Sequence, residues 1–166
     1  MLIVSKFCNH DQTPVAELLL PFDERKKSRF RTFATCGEEV GIFLERGTVL
    51  KDGDLLLSED GRVVLVRAAD ETLLHITQHR ALSLVHVAYH LGNRHVPIQI
   101  GENWLRIARD EVLKQMVEGL GARAEDAVAP FHPEHGAYGG GHTHGEKSDR
   151  DNSPIIHEFG RYHANG

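Results

Sequence analysis

The chain contains little sulfur: its 166 residues include two cysteines and two methionines. Cys8 and Cys36 are far apart and form no Cys-x-x-Cys pair, which argues against a disulfide framework and against a thiolate zinc site. A copper(I) carrier would be expected to have more thiolate or thioether ligands. Any metal chemistry of this protein is therefore expected to use other ligand types.

Long apolar runs and an excess of positive charge are also missing. No run approaches the roughly 20 residues that a membrane helix needs, and the N-terminal residues lack the pattern of a signal peptide. The formal net charge of -5 offers no positive field that would attract nucleic acid or anionic lipid. We expect a cytoplasmic protein without nucleic-acid or membrane partners.

Catalytic motifs are missing as well. The sequence has no His-Glu-x-x-His, no nucleophile elbow and no phosphate-binding glycine loop, so neither a general base nor an oxyanion site can be named. We therefore expect that the protein is not an enzyme. A zinc metallohydrolase that uses the histidines is the less favoured alternative, and metal-dependent ester hydrolysis would revive it.

Histidine, in contrast, is abundant, with 12 residues in the chain. Imidazole nitrogen is a good ligand for zinc, copper, iron and nickel. The composition therefore indicates a protein that binds a borderline divalent metal, without deciding which one.

The pattern of apolar residues predicts an α+β protein in three parts. Residues 1–70 contain short apolar runs broken by glycine and charge, which predicts a β-rich N-terminal domain. Residues 71–131 alternate strands and helices in the order βαββαβ, which predicts a ferredoxin-like domain with two helices on one face of an antiparallel sheet. Residues 132–166 lack periodicity and are rich in glycine, so we expect a flexible histidine-containing tail.

Local signals set several boundaries within the two domains. Gly61 lies in an Asp-Gly turn between two apolar runs, which predicts a hairpin. Residues 81–91 have a helical apolar stripe, and Gly92 is predicted to end that helix in a left-handed conformation. Asp110 is a suitable N-cap for a second helix, with Gly121 at its end.

The tail contains the strongest candidate ligands, His142 and His144. One residue separates them and three glycines precede them, so both imidazoles can reach one ion. The candidate secondary ligands of the same segment are His132, His135, His157 and His163.

Further histidines lie in the second domain. His86 and His90 are four residues apart on the predicted helix, opposite its apolar stripe, which is a chelating spacing. Ordinary exposed histidines have the same pattern, and this plainer interpretation is favoured, with His90 kept as a candidate secondary ligand. His75 and His79 lie near a strand end without a supporting signal and are interpreted as structural.

His95 comes directly after the helix, at the end of Gly92-Asn93-Arg94-His95. By spacing alone it is a lone loop histidine, and one imidazole cannot hold a metal tightly. A symmetric dimer would change this, because an isologous contact brings the same residue twice to one axis.

A basic run in the N-terminal domain contains Arg25, Lys26, Lys27, Arg29 and Arg31. This run is either the solvated face of a strand, which we favour, or a docking surface for an acidic partner protein.

Three blocks of sequence carry a family resemblance: residues 89–100, residues 110–116 and residues 133–144. Together they closely resemble the UreE family of urease accessory proteins, and the resemblance spans nearly the whole chain. The Gly-Asn-Arg-His block in this context is specific, whereas richness in histidine alone is not.

The resemblance implies a homodimeric nickel metallochaperone that delivers Ni²⁺ to the urease apoprotein with the other accessory proteins, including their GTPase component. It implies that the interface histidine of the family corresponds to His95 and its tail ligands to His142 and His144. Zn²⁺ and Cu²⁺ can bind the same site. The alternative is a protein that stores or buffers nickel or zinc and needs no urease partner.

Overall fold

The structure is a computed structural model that describes residues 1–8, 12–78 and 81–134, without the side chains of residues 81–83. It is a two-domain mixed α/β protein with many strands and few helices, and each domain is built on its own β-sheet. No helix in these described ranges is long and apolar enough to cross a membrane.

The N-terminal domain is a six-stranded sheet in the order β2-β6-β5-β1-β4-β3. Its elements are β1 (Leu2–Phe7), β2 (Ala16–Leu20), the short helix α1 (Phe22–Arg25), β3 (Arg29–Phe33), β4 (Glu39–Phe43), β5 (Leu55–Ser58) and β6 (Val63–Ala68). Alternate side chains, such as Leu18, Val40 and Ile42, are fully buried in one core. The predicted β5–β6 hairpin is confirmed, and Gly61 has the positive φ of 86° that its turn requires.

The C-terminal domain is a four-stranded antiparallel sheet in the order β10-β7-β9-β8. Its elements are β7 (Asp70–Thr77), α2 (Ala81–Gly92), β8 (Gln99–Ile100), β9 (Trp104–Ala108), α3 (Glu111–Gly119) and β10 (Arg123–Pro130). Val87 and Leu91 of α2 and Val117 of α3 share one buried cluster with alternate strand residues. Both helices therefore cover the same face of this sheet.

Helix α3 begins and ends as its sequence predicts. The Asp110 side chain accepts a hydrogen bond from the Leu113 N–H at 2.9 Å, which caps one of the unpaired amides of the first turn. Gly121 has a φ of 85° just beyond the helix.

Two predictions around α2 are wrong. Gly92 is the last residue of the helix and has no positive φ, whereas His95 adopts the left-handed conformation with a φ of 55°. The sequence from Val96 to Ile100 predicts the second strand of the βαββαβ order, but only Gln99–Ile100 form a strand. Pro97 lies in the missing part and has no N–H to donate to a neighbouring strand.

Arg25 links the two domains from a buried position, with 2% of its surface exposed. Its Nε donates to the Leu20 carbonyl at 3.1 Å and its Nη1 to the Leu50 carbonyl at 3.3 Å, both in the N-terminal domain. Its Nη2 donates to the carbonyl of Phe131, directly after β10. One side chain therefore connects α1, the segment before β5 and the end of the second sheet.

Phe22 reinforces this connection at the start of α1. Its N–H donates to the Glu71 carboxylate at 2.7 Å, and its ring meets the Phe131 ring edge-on with centroids 5.6 Å apart. Both interpretations of the basic run, a solvated strand face and a docking surface, are therefore wrong for Arg25, because its guanidinium is buried and its donors are used inside the protein.

Replacing Arg25 with methionine should destabilise the fold by about 3 kcal/mol, because three buried carbonyls lose their donor while the apolar stem is kept. The measurement is the free energy of unfolding in urea. Arg29→Met, at an exposed position of β3, is the matched control and should change it by less than about 0.5 kcal/mol. Equal stability of the two variants would contradict the linking role of Arg25.

Candidate functional site

Helix α2 ends in a turn with His95 at its tip. The N–H of His95 donates to the Gly92 carbonyl at 2.9 Å, and the N–H of Val96 donates to the Leu91 carbonyl at 3.3 Å. This pair of bonds around a left-handed residue is the Schellman motif, in which the left-handed position is usually glycine. Here a histidine occupies the position of the glycine.

The backbone of His95 is unusual for its residue type. Among the residues that the structure describes, it is the one non-glycine residue with a positive φ. A side chain in this conformation costs about 1 kcal/mol, because Cβ approaches the following carbonyl. Val96 packs against the core while His95 itself is exposed, so packing holds the turn and leaves the imidazole accessible. A strained, exposed histidine of this kind is typical of a functional position.

His95→Gly should stabilise the protein by about 1 kcal/mol, because glycine adopts this φ without the Cβ contact. The measurement is again the free energy of unfolding in urea. His132→Gly is the control: His132 is also exposed but has no positive φ, and glycine there should lower stability. A loss of stability in His95→Gly would show that the histidine is not strained.

The last described residues pass beside the His95 turn. The N–H of Glu134 donates to the Ile98 carbonyl at 2.8 Å, and the N–H of His132 donates to the Gln99 side chain at 3.2 Å. Glu134 is therefore bonded to a residue that follows His95 by three positions in the sequence. The predicted ligands that lie outside the described residues are His135, His142, His144, His157 and His163.

Helix α2 also brings two histidines into contact. The Nε2 atoms of His86 and His90 are 3.0 Å apart, and the two rings meet edge-on with centroids 4.6 Å apart. Both side chains lie on the solvent side of the helix, whereas Val87 and Leu91 are fully buried. The spacing in the sequence indicated a shared helix face, and the structure adds that the ring nitrogens point at each other.

His75 has a different environment. Its ring lies 5.4 Å from the Trp104 ring, and its Nδ1 accepts a hydrogen bond from the Arg106 Nε at 3.3 Å. Burial lowers the pKa of His75, Arg106 lowers it further, and Glu125 acts in the opposite direction. A neutral, half-buried ring in this setting agrees with a structural role. His79 lies outside the described residues.

His132 contributes to the surface between the domains. With Pro133 it lines a cavity of about 300 Å³ that also contains Phe22 and Arg25. Within the described residues, no group of three or more His, Cys, Asp or Glu side chains is arranged to hold a metal ion.

The fold and these histidines define a class: two-domain α/β proteins with imidazoles gathered on one helix and the turn that follows it. A family model described as the UreE urease accessory protein N-terminal domain matches residues 5–69. The model of the UreE C-terminal domain matches residues 71–163.

Individual relatives carry the same name. The urease accessory protein UreE of Pseudomonas fluorescens (strain SBW25) is 53% identical over 163 residues, which cover 96% of this chain and 98% of the relative. The UreE of Azotobacter vinelandii (strain DJ) is 55% identical over 148 residues, which cover 87% of this chain and 89% of the relative. The chain belongs to the UreE family of urease accessory proteins, which confirms the resemblance and implies a role in urease maturation.

Proposed function

We propose that this protein is a cytoplasmic, homodimeric nickel metallochaperone that carries Ni²⁺ to the urease apoprotein. In this proposal, His95 supplies the central ligand and the tail residues His142 and His144 complete the site. Membership of the UreE family supports the role. The β10-β7-β9-β8 order, with two helices on one face, supports a ferredoxin-like second domain as the scaffold.

The hydrogen bond between Glu134 and Ile98 is the observation that carries this proposal. It means that Glu134 is within about 16 Å of His95, given the bond and three residues of chain. Eight further residues lead to His142 and can span about 26 Å when extended. The tail is therefore long enough for His142 and His144 to share an ion with His95.

The chemistry of such a site suits a carrier. One exposed imidazole binds weakly, so additional donors are needed from the tail and from a second copy of the chain. Val85 and Tyr89 of α2 are 67% and 62% exposed, and this apolar surface supports a contact between copies near the His95 turn.

Nitrogen-rich shells accept nickel, zinc and copper alike, so Zn²⁺ and Cu²⁺ should compete. An open shell releases its ion by stepwise ligand exchange.

Nickel titration of the full chain by calorimetry tests the assignment of the ligands. His95→Asn removes the imidazole but keeps a residue type that tolerates the left-handed backbone, so it separates ligation from folding. Affinity should fall at least about tenfold in His95→Asn and fall less in a His142→Ala, His144→Ala double variant. His75→Asn, at a histidine whose Nδ1 is hydrogen-bonded to Arg106, is the control and should bind almost normally. Unchanged affinity in His95→Asn would refute the central role of this residue.

A surface on the N-terminal domain is suited to a partner protein. We define the β3 surface by Arg29, Arg31, Phe33 and Phe43. β3 is an edge strand, Arg29 lies opposite Phe43, and Phe33 and Phe43 are 67% and 47% exposed. Exposed arginine beside exposed aromatic rings is typical of protein interfaces. Its positive charge fits an acidic patch on the urease apoprotein or on its accessory proteins, including the GTPase component.

The other basic residues of the run contribute less to this surface. Lys26 is paired with Asp23 at 2.6 Å, whereas Lys27 is exposed and lies between α1 and β3. Arg31 has a long contact of 3.8 Å with Glu39, which leaves most of its charge available.

An Arg29→Glu, Arg31→Glu double variant should lower urease activation severalfold and leave nickel affinity unchanged, because docking and ligation use different domains. Activation is measured as urease activity after maturation with the complete set of accessory proteins. Arg123→Glu, at an exposed position of β10, is the matched control. Normal activation by the double variant would reject the β3 surface as a docking site.

A further inference from the structure

We propose that His86 and His90 form a separate metal site on α2, which binds one Ni²⁺ or Cu²⁺ ion without His95 or the tail. The proposal goes beyond the carrier site described above and does not depend on it. It rests on the geometry of two side chains and on the rigidity of the helix that presents them.

The distance between the ring nitrogens matches the bite of a metal ion. The two Nε2 atoms are 3.0 Å apart. Two nitrogens bound at about 2.1 Å are about 3.0 Å apart when they occupy neighbouring corners of a square or an octahedron, and about 3.4 Å apart in a tetrahedron. The two nitrogens are therefore close enough to share one ion, and Ni²⁺ and Cu²⁺ accept the square or octahedral shells in which this separation occurs.

The protonation of the pair also permits binding. At 3.0 Å one Nε2 donates a hydrogen bond to the other, so at most one of the two nitrogens carries a proton. A bound ion needs the lone pair of each Nε2. The ring that donates the hydrogen bond in the pair makes its Nε2 lone pair available when its proton lies on Nδ1 instead. This exchange of tautomer moves a proton from Nε2 to Nδ1 of the same ring and changes no charge.

The helix holds the two rings in place. Val87 and Leu91, which directly follow the two histidines, are completely buried, and this fixes the rotation of the helix on its sheet. The Tyr89 ring meets the His90 ring edge-on with centroids 5.4 Å apart, which restricts the imidazole. Little conformational entropy is therefore lost on binding.

The environment determines what kind of site this is. α2 has no acidic residue in its first turn, and Arg94 donates to the His90 carbonyl at 3.1 Å in the last turn. Two imidazoles and water must then fill the shell, so binding should be weak and rapidly reversible. His90 lies two residues before the end of α2, so an ion held here would lie close to the turn that carries His95.

The experiment uses the full-length chain with the substitutions His95→Asn, His142→Ala and His144→Ala, so that the proposed carrier site is absent. Substoichiometric Cu²⁺ is added, and the histidine ring signals are followed by NMR. The signals of His86 and His90 should broaden first, while the His75 signal stays sharp. Broadening that begins at other histidines would overturn the proposal.

Calorimetry in the same background gives the second measurement. His86→Gln or His90→Gln should each weaken residual Ni²⁺ and Cu²⁺ binding on the order of a hundredfold, because chelation is lost. His75→Gln is the matched control and should have no such effect, because the His75 Nδ1 is already hydrogen-bonded to Arg106. Residual binding that survives His86→Gln would also overturn the site. Because the background lacks the carrier ligands, neither result depends on whether the proposed nickel delivery is correct.

Discussion

The hydrogen bonds of Arg25 decide how the two domains are joined. Its guanidinium reaches Leu20 and Leu50 on one side and Phe131 on the other. Burial lowers the pKa of Arg25, and three acidic residues act in the opposite direction: Glu71, Asp52 and Asp54. Because backbone carbonyls accept all three of these hydrogen bonds, the interaction fixes the direction of the main chain as well as its position.

This constraint extends to the proposed metal site. The carbonyl of Phe131 is held by Arg25, and the next residues then run beside Gln99 and Ile98, shortly after His95. The N-terminal domain therefore helps to determine the path of residues 131–134, although it supplies none of the proposed ligands. We expect a change at Arg25 to alter the position of residues 131–134, and through them the proposed metal site.

Local signals in the sequence predicted much of the fold. They failed at Gly92, where the left-handed residue lies three positions later, and at Arg25, whose partners are distant in the sequence. The β5–β6 hairpin and the cap at Asp110 depend on neighbouring residues and were predicted correctly. The left-handed conformation was predicted at Gly92 because glycine favours it. The structure has it at His95, directly before Val96, which packs against the core. Arg25 resembles the rest of its basic run, and its most distant acceptor is 106 residues away.

The histidine pair on α2 shows the same limit for sites. A spacing of four residues predicts that His86 and His90 share a helix face, but it cannot predict that their Nε2 atoms approach to 3.0 Å. That distance depends on side-chain rotamers. It also distinguishes the pair from His75, whose ring nitrogen is already used by Arg106. Whether a histidine can bind a metal ion depends on what its ring nitrogens contact. The structure shows these contacts, whereas the spacing of residues in the sequence does not.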